Sequence, residues 1–279
     1  FIKDLYAVTE KEKIEISTKD RYVFYRKNLK LDHSIFMLYR KGFWKLSEWN
    51  ALFYAKKRFK QRGELPVIAP RKLKEVEGKP TVSYIIPTMM RQDFTLNLLE
   101  DLKSQTYLPT QVIVVDATPE NTRDESLYNA QNYPFEVQFH WQTTKGSCRA
   151  RNEAINLCTG DYIVFGDDDI RIQPNFIENH IRLLQTYNAG ACNGLDIRAD
   201  NQQQNLDDLE KKLIEYPFQR WLVGSTGGFS NANSCVKRSL VNKLVGNDIN
   251  YDGGYGEDSD FGISLTKIGV TVLHNPFSV

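Results

Sequence analysis

The chain has 279 residues, of which 41% are hydrophobic and 25% charged, values that exclude a disordered or collagen-like polypeptide. No run of about 18 apolar residues occurs, so no membrane-spanning helix is expected, and the charged start FIKDLYAVTEKEK lacks the apolar stretch of a secretory signal. The net charge of +1 conceals an asymmetry: residues 1–80 carry 20 Lys or Arg against 10 Asp or Glu, net +10, and residues 81–279 carry 16 against 25, net −9.

Taken in chain order, KIEIST, RYVFYRKN and SIFMLYRKGFW are rich in β-branched and aromatic residues and read as short strands. Ser47 then opens a helix running to about Gly63. The segment from Gly63 to Pro80 holds three prolines and two glycines among charges, the chemistry of a connector. Residues 1–80 are therefore expected to form a basic α+β module and linker, and residues 81–279 a second domain. After Pro80, VSYII (82–86), QVIVV (111–115), EVQFHW (136–141) and DYIVF (161–165) read as strands. Phe94, Leu98, Leu99 and Leu102 mark one helix face, residues 147–158 another helix stopped by Gly160, and Phe176, Ile177, Ile181 and Leu184 a third face. Short apolar strands alternating with amphipathic helices predict an α/β fold with a mostly parallel sheet. Such sheets bind ligands beyond the carboxyl ends of their strands, where Thr88, Asp116 and Asp167–Asp169 fall.

Three clusters carry chemistry. Asp167, Asp168 and Asp169 follow a buried strand; they form either a solvated acidic turn or a site for a hard divalent cation, whose remaining positions phosphate oxygens would fill. The segment GGYGEDSDFG (253–262) brings glycines up to Glu257, Asp258 and Asp260 at a helix start, where carboxylates either complement the helix dipole or act at a flexible loop. KGSCRARN (145–152) places basic side chains and a helix N-terminus beside the same crevice, as a surface cap or as a seat for an anion. Cys148, Cys158, Cys192 and Cys235 have no metal-ribbon spacing and read as buried thiols of a reducing compartment. His33, His140, His180 and His274 read as structural.

In this order and spacing, VSYIIPT, QVIVVDAT, GSCRARNEAI, GDYIVFGDDDI and GYGEDSDFGISLTKIG resemble a family 2 glycosyltransferase of the GT-A fold, over roughly residues 81–279. The resemblance implies a hexosyltransferase that moves a sugar from a nucleotide-sugar donor, with inversion, to a hydroxyl of a glycan or lipid-linked acceptor, in polysaccharide biosynthesis. It implies Mn2+ or Mg2+ on Asp169, with Asp167 and Asp168 on the donor side. Thr88 and Asp116 would line the nucleoside pocket and Arg151 would face the donor. Asp258 takes the place of the catalytic base, and Asn233 and Glu257 lie on the acceptor side. Ala117 after Asp116 and Met89-Met90 depart from the common family pattern, and the metal-binding His of many relatives falls beyond the segment matching Gly269–Pro276. A non-catalytic binding homologue and a sugar nucleotidylyltransferase are the alternatives, the latter lacking its glycine-rich nucleotide loop here. No nucleic-acid partner is expected, because a solvated amphipathic face explains the aromatic and basic residues of RYVFYRKN. The chain is expected in the cytoplasm. Its basic module would either dock on the acidic domain or touch an anionic membrane through residues 49–62.

Overall fold

The computed structural model describes residues 16–59, 72–129, 132–199, 209, 211–213, 222–244 and 246–279. The chain divides into two units, with the boundary between Ala69 and Pro70. The first half of the connector read from Gly63 to Pro80 lies outside the described residues, as do Lys13–Glu15 of KIEIST.

The described residues of the first unit, 16–59, are helical, which corrects the strands expected at RYVFYRKN and SIFMLYRKGFW. Helix α1 spans Thr18–Asn28, α2 Leu31–Gly42 and α3 Leu46–Arg58. The buried side chains explain the difference: Tyr22 and Arg26, Ser34 and Leu38, and Ala51 and Ala55 recur every four residues, the spacing of one helix face. Packing along that face overrides the strand preference of the aromatic and β-branched residues. Ser17 accepts the Asp20 N–H at 3.1 Å and starts α1. The helix expected from Ser47 is α3, whose N-cap is Lys45 and whose end comes at Arg58. Arg26 Nη2 donates to the Phe59 carbonyl at 2.9 Å and ties α1 to the end of α3.

Among the described residues, the second unit is built on one eight-stranded sheet. Its elements are β1 (Val82–Thr88), α4 (Gln92–Lys103), β2 (Gln111–Asp116), α5 (Ser126–Asn129), β3 (Glu136–Trp141), α6 (Ser147–Leu157), β4 (Tyr162–Phe165), α7 (Phe176–Tyr187), β5 (Ala191–Asn193), β6 (Gly224–Thr226), β7 (Ser234–Lys237), α8 (Arg238–Val241), α9 (Glu257–Lys267) and β8 (Val272–His274). The strand order is β3-β2-β1-β4-β7-β5-β8-β6. The β3-β2-β1-β4 half is wholly parallel, whereas β7 runs antiparallel to both β4 and β5. The apolar runs alternate between two cores, as the two-residue period of a strand requires. Val82, Tyr84, Ile86, Val112, Val114 and Val164 join Leu98, Leu99 and Ile181 on one face. Ile85, Ile113, Val115, Ile163 and Phe165 join Ala150, Ala154, Phe261 and Leu265 on the other. Both faces are covered, so these strands are continuously apolar rather than alternating.

The register brings the strand ends together. Thr88 pairs with Asp116 and Ile85 with Phe165, so the residues after β1, β2 and β4 emerge at one edge. Gly160 acts differently from the helix stop read in the sequence: a Cβ there would stand 2.6 Å from the Ser83 backbone nitrogen. Its smallness lets the chain entering β4 press against β1.

Candidate active site

Each aspartate of the triplet has a different environment. Asp168 turns inward and is only 1% exposed. Thr88 Oγ1 donates to its Oδ2 at 2.6 Å. Arg91, in the turn after β1, forms an ion pair with its Oδ1 at 2.8 Å, a contact of charge without aligned hydrogen-bond geometry. Burial raises the Asp168 carboxyl to about 6, with Thr88 and Arg91 pulling the other way. Asp169 is 46% exposed and meets the same Arg91 through Oδ2 at 2.6 Å. Asp167 is 34% exposed and accepts from Arg151 Nη2 at 2.6 Å. A bidentate Arg171–Asp101 pair at 2.6 and 2.7 Å fixes the chain immediately past the triplet to α4, an arrangement stronger and more directional than a single ion pair.

Arg151 links two of the predicted clusters. It comes from α6, and its side chain is 6% exposed. Beyond Asp167, its Nη1 lies 3.8 Å from Glu257 Oε1, too far for a hydrogen bond. Arg151 Nε and Nη1 are buried with no hydrogen-bond partner. Next to Glu257, Asp258 Oδ1 accepts the Asn231 backbone N–H at 3.1 Å. Burial lifts the Asp258 carboxyl to about 6, and the neighbouring Glu257 charge adds to the rise against Asn231 and Arg151. Gly256, at φ +115°, supplies the left-handed turn that opens α9 and delivers both carboxylates. The Asn231 side chain is buried with neither its amide nitrogen nor its oxygen partnered. Asn193, at the end of β5, holds that segment by accepting from the Ser230 N–H at 3.0 Å. Unpartnered polar atoms are rare in folded interiors. Those on Arg151 and Asn231 both neighbour Asp258, an arrangement suited to a polar ligand.

Asp116 is buried at the end of β2. Its Oδ1 accepts from the Thr118 N–H at 2.7 Å and its Oδ2 from the Tyr128 hydroxyl at 2.8 Å; the Tyr128 ring stacks on Phe139 at 4.2 Å. Beside it, a recess of about 340 Å³ is lined by Met90, Arg91, Phe94, Thr118, Thr122 and Leu127.

The structure bears on two sequence readings. The α6 N-terminus, read as either a surface cap or a seat for an anion, faces a carboxylate of this chain. Asp252 Oδ1 accepts the Cys148 N–H at 2.7 Å, and Oδ2 lies 3.2 Å from Arg149 Nε. Gly146 is required there, since a Cβ would stand 2.3 Å from Asp252 Oδ2. Asn233, placed on the acceptor side, has its side chain in a buried polar network. Its Oδ1 accepts from His180 Nε2 at 3.0 Å, and its Nδ2 reaches the Ser278 carbonyl at 3.4 Å. Burial pushes His180 down to about 3 and keeps it neutral, in line with its structural reading. Asn233→Ala should therefore lower stability by about 1–3 kcal/mol, the cost of a buried donor left unpaired. Urea denaturation measures this, with nucleotide affinity unchanged; a change in affinity at full stability would return Asn233 to the ligand site. All four cysteines are free and buried.

Sequence reading missed Arg91, Asn231 and Asp252. Arg91 had a usable signal, a basic residue just past the carboxyl end of β1. The other two reach their partners only through contacts with residues 27 and 104 positions away. Among the described residues, no three His, Cys, Asp or Glu side chains converge as a ready-made metal cluster. Asp167 and Asp169 are nevertheless the solvent-reaching, hard oxygen donors of the triplet. They fit a Mg2+ or Mn2+ ion that takes most of its ligands from a bound phosphate and water.

The sequence pattern of glycosyl transferase family 2 matches residues 83–245. The chain belongs to that family. The uncharacterized glycosyltransferase YibD of Escherichia coli is 33% identical over 98 residues, 35% of this chain and 28% of that protein. The putative colanic acid biosynthesis glycosyl transferase WcaA of Escherichia coli is 31% identical over 101 residues, 36% of each. The matches thus span about a third of these relatives. Among solved structures, the mannosyltransferase PcManGT of Pyrobaculum calidifontis, in complex with GDP-Man and Mn2+, superposes with a TM-score of 0.55 at 21% identity, over 88% of this chain and 67% of that one. GalNAc-T7 with UDP, GalNAc and Mn2+ gives 0.58 at 14% identity, over 72% and 43%. The family 2 unit therefore has the GT-A fold, with a mixed sheet whose first half is parallel.

Proposed function

We propose that this family 2 unit transfers a hexose from a nucleoside diphosphate sugar to a hydroxyl of a glycan or lipid-linked acceptor, by direct displacement with inversion. The observation that carries this reading is Asp258. Its carboxylate is half-buried, raised to about 6 and oriented by the Asn231 N–H beside Arg151, whose Nε and Nη1 have no hydrogen-bond partner. Such a group is ionised at neutral pH yet more basic than an ordinary aspartate, which suits it to accept a hydroxyl proton. In this reading the recess beside Asp116 takes the nucleoside, and Arg151 directs its free N–H groups to donor oxygens. Asp169, with Asp167 adjacent, would hold a divalent cation, which would supply positive charge for the departing diphosphate. Arg91 holds Asp168 and Asp169 in place, a positioning role. Glu257 keeps Arg151 oriented from the acceptor side, and the Gly253–Gly256 loop limits access of water. The GDP-Man and UDP bound to the two solved relatives make GDP- and UDP-sugars the donors to test.

Calorimetry of a panel of GDP- and UDP-sugars with Mn2+, followed by NMR of the product anomer, tests the reading. Binding together with an inverted anomeric centre supports it. A retained configuration, or donor binding without transfer or hydrolysis, overturns it.

A further inference from the structure

The helical unit displays an aromatic ridge that its own core does not use. That core is Tyr22, Leu38, Ala51, Leu52 and Ala55. Outside it, Tyr39 on α2 and Phe43 just past its end, one turn apart, stack with ring centres 6.1 Å apart. Phe43 meets Trp44 edge-on at 5.3 Å. The Trp49 indole N–H donates to the Phe43 carbonyl, and the Trp49 ring stacks on Phe53 at 6.0 Å. Tyr39 and Trp44 are 71% and 72% exposed, and Phe43 and Phe53 are more than half exposed. Contiguous exposed aromatic surface of this kind marks an interaction site rather than chance exposure.

The surrounding charge indicates what covers it. Residues 16–59 carry eleven Lys or Arg against three Asp or Glu, net +8. Of the three acids, Glu48 is buried and lies 3.8 Å from Arg21. Arg40, Lys41, Lys45, Lys56 and Lys57 lie next to the ridge in sequence, at the ends of α2 and α3, and form no ion pair among the described residues. Aromatic rings favour the headgroup layer of a bilayer, and unpaired cations beside them are drawn to anionic lipid. Rings flanked by cations match a surface that is apolar just beneath a layer of negative charge, which an anionic bilayer supplies.

We propose that residues 39–57 form a docking surface that seats this chain on an anionic lipid bilayer, the Tyr39–Phe53 ridge entering the headgroup layer and the flanking Lys and Arg side chains meeting lipid phosphates. This moves the contact expected at 49–62 toward the α2–α3 corner; Lys60 and Arg62 lie outside the described residues. Among the described residues no helix is long and apolar enough to cross a membrane, so the contact is peripheral. It holds whatever the sugar or acceptor.

The test is co-sedimentation of the full chain with phosphatidylcholine vesicles, with and without an equal share of phosphatidylglycerol. Partitioning should be about tenfold or more stronger onto the anionic vesicles at low salt and should largely disappear at high salt. Phe43→Ser with Trp44→Ser, and separately Lys41→Glu with Lys45→Glu, should each weaken it about tenfold or more while leaving the thermal melt and nucleotide affinity unchanged. The charge pair touches no packing, so it keeps the test decisive if the aromatic pair fails to fold. A chain that stays in the supernatant with anionic vesicles at low salt overturns the proposal. So does equal binding by the charge variant, or a dimer formed through the ridge without lipid.

Discussion

Asp258→Asn should lower kcat by about 10²–10⁴, the range for loss of a general base, with donor affinity nearly unchanged. Asparagine keeps the size of the side chain and can still accept the Asn231 N–H, so the loss isolates proton transfer from position. The parent should also show a rate that climbs with pH and levels off above about 6, because Asp258 must be ionised to act and burial holds it there. The residual activity of the variant should lack that rise. Near-normal turnover in the variant would transfer the role to Glu257. The same shift affects stability with a definite sign. Since the folded state holds the Asp258 proton to a higher pH than the unfolded chain does, its contribution is present at low pH and is lost as pH rises through about 6. Urea melts should therefore show Asp258→Asn gaining about 1–3 kcal/mol on the parent between about pH 4 and neutrality. A constant difference across that range would mean that Asp258 is not raised.

Asp169→Ala should abolish the metal-dependent part of donor binding and leave the fold intact. Asp169 is 46% exposed, and its loss leaves Arg91 still paired to Asp168, so stability should move by no more than about 0.5 kcal/mol. Calorimetry with and without Mn2+ reads the binding directly. Donor affinity in Mn2+ equal to that of the parent would remove Asp169 from the metal site. Asp168→Ala offers a contrast. It strands Thr88 and Arg91 beside a cavity at the carboxyl edge, so it should destabilise the protein as well as weaken binding.

Much of the second unit was legible in the sequence, because its signals are local. VSYII, QVIVV and DYIVF are apolar over a strand's length and end in Thr88, Asp116 and the aspartate triplet. That pattern alone places them in a sheet covered on both faces and puts their ends at its binding edge. The glycines before Glu257 and the helical spacing after Ser147 were likewise readable without any long-range contact. What tertiary structure decided is how those groups are divided. Three adjacent aspartates are chemically alike in sequence, and only their neighbours separate them: Thr88 and Arg91 draw Asp168 inward, Arg151 holds Asp167, and Asp169 stays at the surface. The raised Asp258 carboxyl, the capping of α6 by Asp252 and the seclusion of Asn233 with His180 depend on residues 27 to 104 positions apart. Residues 16–59 are the sharpest case. Their aromatic and β-branched residues favour strands locally, whereas burial at four-residue spacing makes helices. Local propensity differs by only about 1 kcal/mol per residue, which packing of a shared apolar face outweighs.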